Sequence, residues 1–251
     1  MHVHPATPSP LLIAMCIAYC AATVGLSESK ADEPQSPASF VVTTTNYAVG
    51  NEQPIDRHRV VFDQSVVYDF DELTPGSITV YDPNRKRIVL LNSQSKSRCV
   101  VNTDQLTKMT AEMRVSADTN KKKDQYGISA TVNSDADDRL SIQFGNVKYT
   151  TSTQPAANQN AASQFAQFAD WALRLNMARK QGLPPFGRMS LNRAIATKGH
   201  IPSELMLDVK VAQYKSVHAI TPKLTNEDRK RIDEASGMIA LYSEIPLSDF
   251  R

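Results

Sequence analysis

Glycine is scarce in this chain, with 9 residues in 251, and only 3 cysteines occur. The first shortage excludes a collagen-like repeat, and no GxGxxG or GxxxxGK[ST] phosphate loop is present. The second excludes a disulfide scaffold. An excess of charge of one sign is also missing. Lys plus Arg number 28 and Asp plus Glu 26, and 28 − 26 leaves +2, too balanced for a strongly basic nucleic-acid binder. Long apolar runs are absent apart from residues 11–26, sixteen residues without a charge. A membrane span needs ~20. With 41% hydrophobic and 22% charged residues, the chain has ordinary globular usage.

The short apolar run suits the core of a signal peptide. Small residues follow it, and Ser29-Lys30-Ala31 fits a small-x-small cleavage pattern. The expectation is a signal peptide over residues 1–31, cleaved near Ala31, and an exported (periplasmic or extracellular) protein. Cleavage after Ala22 or Gly25 and an uncleaved anchor stay open, because the preceding MHVHPATPSP lacks the usual Lys or Arg. Tyr19 and Met15 precede Cys20 and Cys16, which is wrong for lipid attachment. Cleavage removes Glu28 and Lys30, keeps the charge at +2, and leaves Cys99 as a lone thiol. It is read as a buried apolar cysteine.

Residues 32–39 (DEPQSPAS) read as a disordered tail, and residues 40–251 as a single domain. Its first half reads as a β-meander. In residues 58–70 the even positions Val60, Phe62, Val66, Tyr68 and Phe70 are apolar, which places them on one face, with a turn at Asp63-Gln64-Ser65. Strands follow at residues 78–81 and 88–91, and around Cys99. Asn102 caps a helix, with Gln105 at N3; Leu106, Met109, Met113 and Ala117 share its inner face. Strands at residues 128–132, 140–144 and 147–152 come next, the last two joined by a Gly145-Asn146 turn. Residues 154–164 read as a linker into a helix over residues 162–180. Pro184-Pro185 opens another helix, stopped at Gly199. A strand over residues 205–211, its partner over residues 217–220, and a Thr225-capped helix with Asp228 at N3 complete the chain. The expected fold class is α+β, a curved antiparallel β-sheet packed on interleaved helices.

The runs VVFDQSVVYDF and ITVYDPNRKRIVLL, within residues 60–91, resemble lipoprotein-carrier (LolA-like) half-barrels. That resemblance implies a bowed sheet whose concave apolar face takes acyl chains. YDPNRKRIVLL, LPPFGRMSLNRAI and the terminal IPLSDFR are similar to uncharacterised secreted proteins of planctomycete-type bacteria, and no activity comes with that likeness.

Chemistry is sparse. His58, His200 and His218 form no HExxH or close pair, so each reads as a surface or turn residue rather than a zinc ligand. No G-x-S-x-G elbow is present. The acidic stretch Asn133-Ser134-Asp135-Ala136-Asp137-Asp138 departs from a calcium loop at its sixth position, Asp138 for Gly, and at its twelfth, Phe144 for Glu. The basic triplets at residues 85–87, 121–123 and 229–231 read as solvated faces. No catalytic residue, cofactor or metal is expected. The candidate site is an apolar groove lined by Phe62, Tyr68, Phe70, Val80, Leu90, Ile142 and Phe144 and covered by Met109 and Met113, whose flexible thioethers suit adaptable apolar sites. The leading expectation is a non-enzymatic protein that holds an apolar small molecule or lipid. A partner-binding module of the cell envelope and a hydrolase with an unrecognised site are the alternatives.

Overall fold

Alternating Val, Ile, Phe and Thr residues favour extended backbone, and each strand must bury at least one of its faces. The computed structural model describes residues 39–250, all within one compact unit, Gln35–Arg251. The expected signal peptide and most of the tail lie outside the described residues. The fold is α+β. Twelve strands form one open, mostly antiparallel sheet.

The strands are β1 (Phe40–Ala48), β2 (Pro54–Asp63), β3 (Val66–Asp71), β4 (Ser77–Asp82), β5 (Arg87–Asn92), β6 (Ser97–Asn102), β7 (Asn133–Ser134), β8 (Leu140–Phe144), β9 (Val147–Pro155), β10 (His200–Val209), β11 (Ala212–Thr221) and β12 (Ser243–Glu244). The helices are α1 (Thr103–Thr119), α2 (Lys123–Tyr126), α3 (Gln159–Ala178), α4 (Pro185–Thr197) and α5 (Asn226–Leu241). The spatial order is β12-β6-β5-β4-β3-β2-β1-β11-β10-β9-β8-β7. The meander β1 to β6 thus joins the β7 to β11 half through β1 and β11, which pair antiparallel from Val41↔Thr221 to Ala48↔Tyr214.

Both faces of the sheet carry helices. On one face, Phe40, Val42, Val60, Phe62, Leu90 and Val101 pack against Leu106 of α1 and Phe165 and Leu175 of α3. Farther along, Leu140, Ile142, Phe144 and Leu205 meet Leu191 and Ile195 of α4. We call this face A. On the opposite face B, Val41, Val61, Tyr68, Phe70, Val80, Val89 and Leu91 pack under Ile232 and Ala235 of α5.

The hairpin between β2 and β3 corrects the expectation that residues 60–70 keep one phase. Its loop is only Gln64-Ser65, Gln64 sits at φ 56, and Asp63 pairs with Val66. Val61 therefore faces across to Tyr68, and Phe62 to Val67. The turn switches the apolar positions from one face to the other. Val60 and Phe62 point into face A, and Tyr68 and Phe70 into face B.

Helix α1 begins as expected, with Asn102 accepting from the Asp104 and Gln105 amides. Its buried stripe is Thr103, Leu106, Thr110 and Ala117, rotated away from Met109, which is 40% exposed. Thr110 tolerates burial because its hydroxyl donates to the Leu106 carbonyl. Residues 128–132 form no strand. Gly127, at φ 72, ends the short α2, and an added Cβ there would lie 2.9 Å from the Phe144 ring; at Gly187 of α4 it would lie 2.2 Å away. Two of the few glycines thus make room for one phenylalanine. The expected linker is partly ordered: β9 runs to Pro155 and Asn158 caps α3, accepting from the Ala161 amide. β12 was not anticipated. It adds parallel to β6 and leads Leu247 and Phe250 to the face A core.

A buried ion pair docks the first turn of helix α5. Arg59 Nε and Nη2 donate to Asp228 at 2.6 and 2.9 Å, and the Thr225 amide and hydroxyl donate to the same carboxylate at 2.8 and 2.7 Å. Asp228 is 1% exposed and completes the capping box of α5. Its hydrogen bonds with Arg59 hold its carboxyl well below the usual range, against the opposing effect of burial. Asp228→Ala strands the guanidinium and uncaps the helix. The expected loss is ~3 kcal/mol in denaturant unfolding; a loss under ~1 kcal/mol contradicts this account of how α5 is docked.

Candidate functional site

Along face A the strands change character. Phe40, Val42, Val60 and Phe62 are followed on β1 by Thr44 and Asn46 and preceded on β2 by His58 and Asp56. Register aligns these polar residues across strands: His58 pairs with Thr44 and with Asp71 of β3, and Thr44 with His218 of β11. Helix α3 crosses both regions. Phe168 packs edge-on against Phe62 at 5.9 Å, and beyond it Trp171, Ala172, Leu175, Asn176 and Arg179 roof the polar row. Between roof and floor lies a cleft of about 440 Å³, lined also by Val60, Asp69, Thr79, Tyr81 and Ile88. This is within the size range of small-molecule sites.

The floor is a hydrogen-bonded group. His58 Nδ1 donates to Asp69 at 2.8 Å, and its Nε2 lies 3.7 Å from Asp56. Asn46 Nδ2 donates to Asp56. Burial works against charge on His58, but the bond to Asp69 and the charges of Asp69, Asp56 and Asp71 outweigh it and push the imidazole up to about 9. His58 is therefore a cation at neutral pH. Thr44 Oγ1 and His218 Nδ1 share a bond of 2.9 Å. His218 stands edge-on to Phe165 at 5.8 Å; burial, with the nearby Arg188 charge, lowers it to about 3, so it stays neutral. On β4, burial pushes the Tyr81 phenol up to about 12 despite its bond with Trp171 and the Arg174 charge. Among the buried polar atoms without a partner among the described residues, Asn46 Oδ1 and His218 Nε2 belong to this group, and Arg174 Nε belongs to the guanidinium stacked on Trp171.

None of the nine residues expected to line a groove lines this cleft, and the fold does not gather them. Phe62 and Leu90 are buried beneath α3, Tyr68, Phe70 and Val80 lie on the opposite face beneath α5, and Ile142 and Phe144 lie beneath α4. Met109 is exposed and Met113 half-buried. The three histidines among the described residues are strand residues rather than turn residues: His58 is half-buried, His218 buried, and His200 bonds Thr153 at 2.9 Å. The sequence signal for the site was the switch from apolar to polar residues along β1 and β2. It became readable only with the pairing of Thr44 and His218, 174 residues apart.

A second depression, about 500 Å³, lies at the turn between β1 and β2 with Met206 and Lys215. None of its side chains is a buried unpaired polar group, and it is a surface feature. Among the described residues no group of three or more His, Cys, Asp or Glu is placed to hold a metal ion, and no helix is long and apolar enough to cross a membrane. Cys99 is buried, and that burial raises its pKa, which makes it a poor nucleophile. The chain matches no protein-family model and, in sequence, no curated protein.

The two histidines set opposite pH limits. Folded His58 keeps to about pH 9 a proton that the unfolded chain releases near 6.5, so its stabilisation is complete below 6.5 and is lost as pH rises to 9. Folded His218 refuses until about pH 3 a proton that the unfolded chain takes near 6.5, so stability falls as pH drops below 6.5. Denaturant midpoints across pH should peak near 6.5. His58→Gln should flatten the alkaline limb and His218→Gln the acid limb above pH ~4. An alkaline limb unchanged by His58→Gln contradicts the assignment.

Proposed function

We propose that this protein is an exported, non-enzymatic binding module whose cleft holds a small amphiphilic molecule between α3 and the polar row of face A. The observation that carries the reading is the two-sided lining of the cleft. Phe168, Trp171, Ala172, Leu175, Tyr81 and Ile88 form an apolar and aromatic wall, and Thr44, Asn46, Asp56, His58 and Asp69 form a polar end. Such pairing of apolar surface with a few fixed polar groups is typical of ligand sites. The curvature expected from the half-barrel resemblance is part of the proposal: a sheet bowed around α3 keeps floor and helix apart. In this reading the signal peptide is cleaved near Ala31, and the mature protein meets its ligand outside the cytoplasm.

The same groups argue against hydrolysis. His58 is already protonated at neutral pH and engaged with Asp69, so it is no general base there. His218 is a weak base, and its Nε2 has no partner among the described residues to orient it for activating Thr44.

Trp171 is the only tryptophan in the sequence and lines the cleft, so its emission reports on occupancy. A panel of octanol, octylamine and octanoate should include at least one saturable ligand that shifts that emission. Ala172→Phe should weaken binding by at least roughly tenfold without lowering the thermal midpoint. Failure of all three probes refutes the proposal.

A further inference from the structure

We propose that the polar end of this cleft selects an organic cation, an amine attached to an apolar body. The inference rests on the reading of the cleft as a binding site and adds the chemistry of the head group. Asp56 and Asp69 both line the cleft, and Asp71 is paired with His58 in register. His58 and Arg179 offset two of these three carboxylates, which leaves one negative charge in surplus.

Hydrogen bonding points the same way. The Asn46 amide cannot be turned over, because its nitrogen faces the Asp56 carboxylate and an oxygen there would be repelled. Its carbonyl oxygen is therefore the buried atom left without a partner, an acceptor that calls for an N–H donor. Trp171, Tyr81 and Phe168 supply aromatic rings nearby, whose faces attract cations. Trp171 already holds the Arg174 guanidinium at 4.6 Å. Arg179 also lines the cleft, but from the C-cap of α3, where it borders the depression with Leu247 and Phe250 as well. It is the group that would favour an anionic head, and the test includes that outcome.

The three octyl probes differ only in head group, and calorimetric titration of the full chain at pH 7 and low salt ranks them. Octylamine should bind at least roughly tenfold tighter than octanol, and octanoate weakest. Added salt should reduce the amine's advantage and leave octanol unchanged. Asp56→Asn, checked for parental thermal unfolding, should bring octylamine to within about threefold of octanol and leave octanol binding intact. Equal binding of octylamine and octanol, or tightest binding of octanoate, overturns the inference and leaves the cleft standing as a site. If none of the three binds, the inference falls together with the binding reading.

Discussion

The register of β1 between β2 and β11 is the constraint on which the rest of the structure depends. β1 joins the two halves of the sheet, and both of its neighbours run antiparallel to it. Val41 and Val42 are each 0% exposed, although successive strand residues point to opposite faces. One strand is therefore covered on both sides, by α5 through Val41 and by α3 through Val42. A slip of one residue would exchange every side chain on β1 between the two cores. It would also separate Thr44 from His218 and His58.

The cleft follows from that register and from the cost of burying polar groups. A hydroxyl, amide or carboxylate removed from water must be paired, at a cost of several kcal/mol otherwise. The row on β2, β1 and β11 meets this requirement in part, through His58 with Asp69, Asn46 with Asp56, and Thr44 with His218, and leaves Asn46 Oδ1 and His218 Nε2 without partners among the described residues. Helix α3 can press its phenylalanines onto Phe62 but has no equivalent partner for the polar row. It passes over that row with the small Ala172 among its lining residues, and the space between is left over. Face B resolves the same problem differently: Arg59 is matched by Asp228, and α5 closes down on the pair. The contrast shows why one polar position became a clamp and the other a cleft.

Much of this fold was legible from local chemistry. The caps Asn102 and Thr225, the Gly145-Asn146 turn and the alternation in β10 reported correctly because each is decided within a few residues. The errors arose where a decision spans a turn or the whole chain. The two-residue loop after Asp63 switches faces, so a pattern read as one phase across it assigned Tyr68 and Phe70 to the wrong partners. Residues 128–132 are apolar enough for a strand, but Gly127 and the α2 turn take the chain elsewhere. The site itself was the least legible part. Its histidines carry no motif, and their partners are set by a strand pairing that no local window contains. The strand β12 is two residues long and gives no periodic signal.

The central claim is that the space between α3 and the polar row is open. Acrylamide quenching of Trp171 tests it most directly, comparing the parent with an Ala172→Phe protein whose added ring fills that space. Efficient quenching in the parent and markedly weaker quenching in the filled protein is the result expected from an open cleft. Equal quenching in both, or a parent indole as shielded as one in a packed core, would mean that the helix lies flush on the sheet and that no cleft exists.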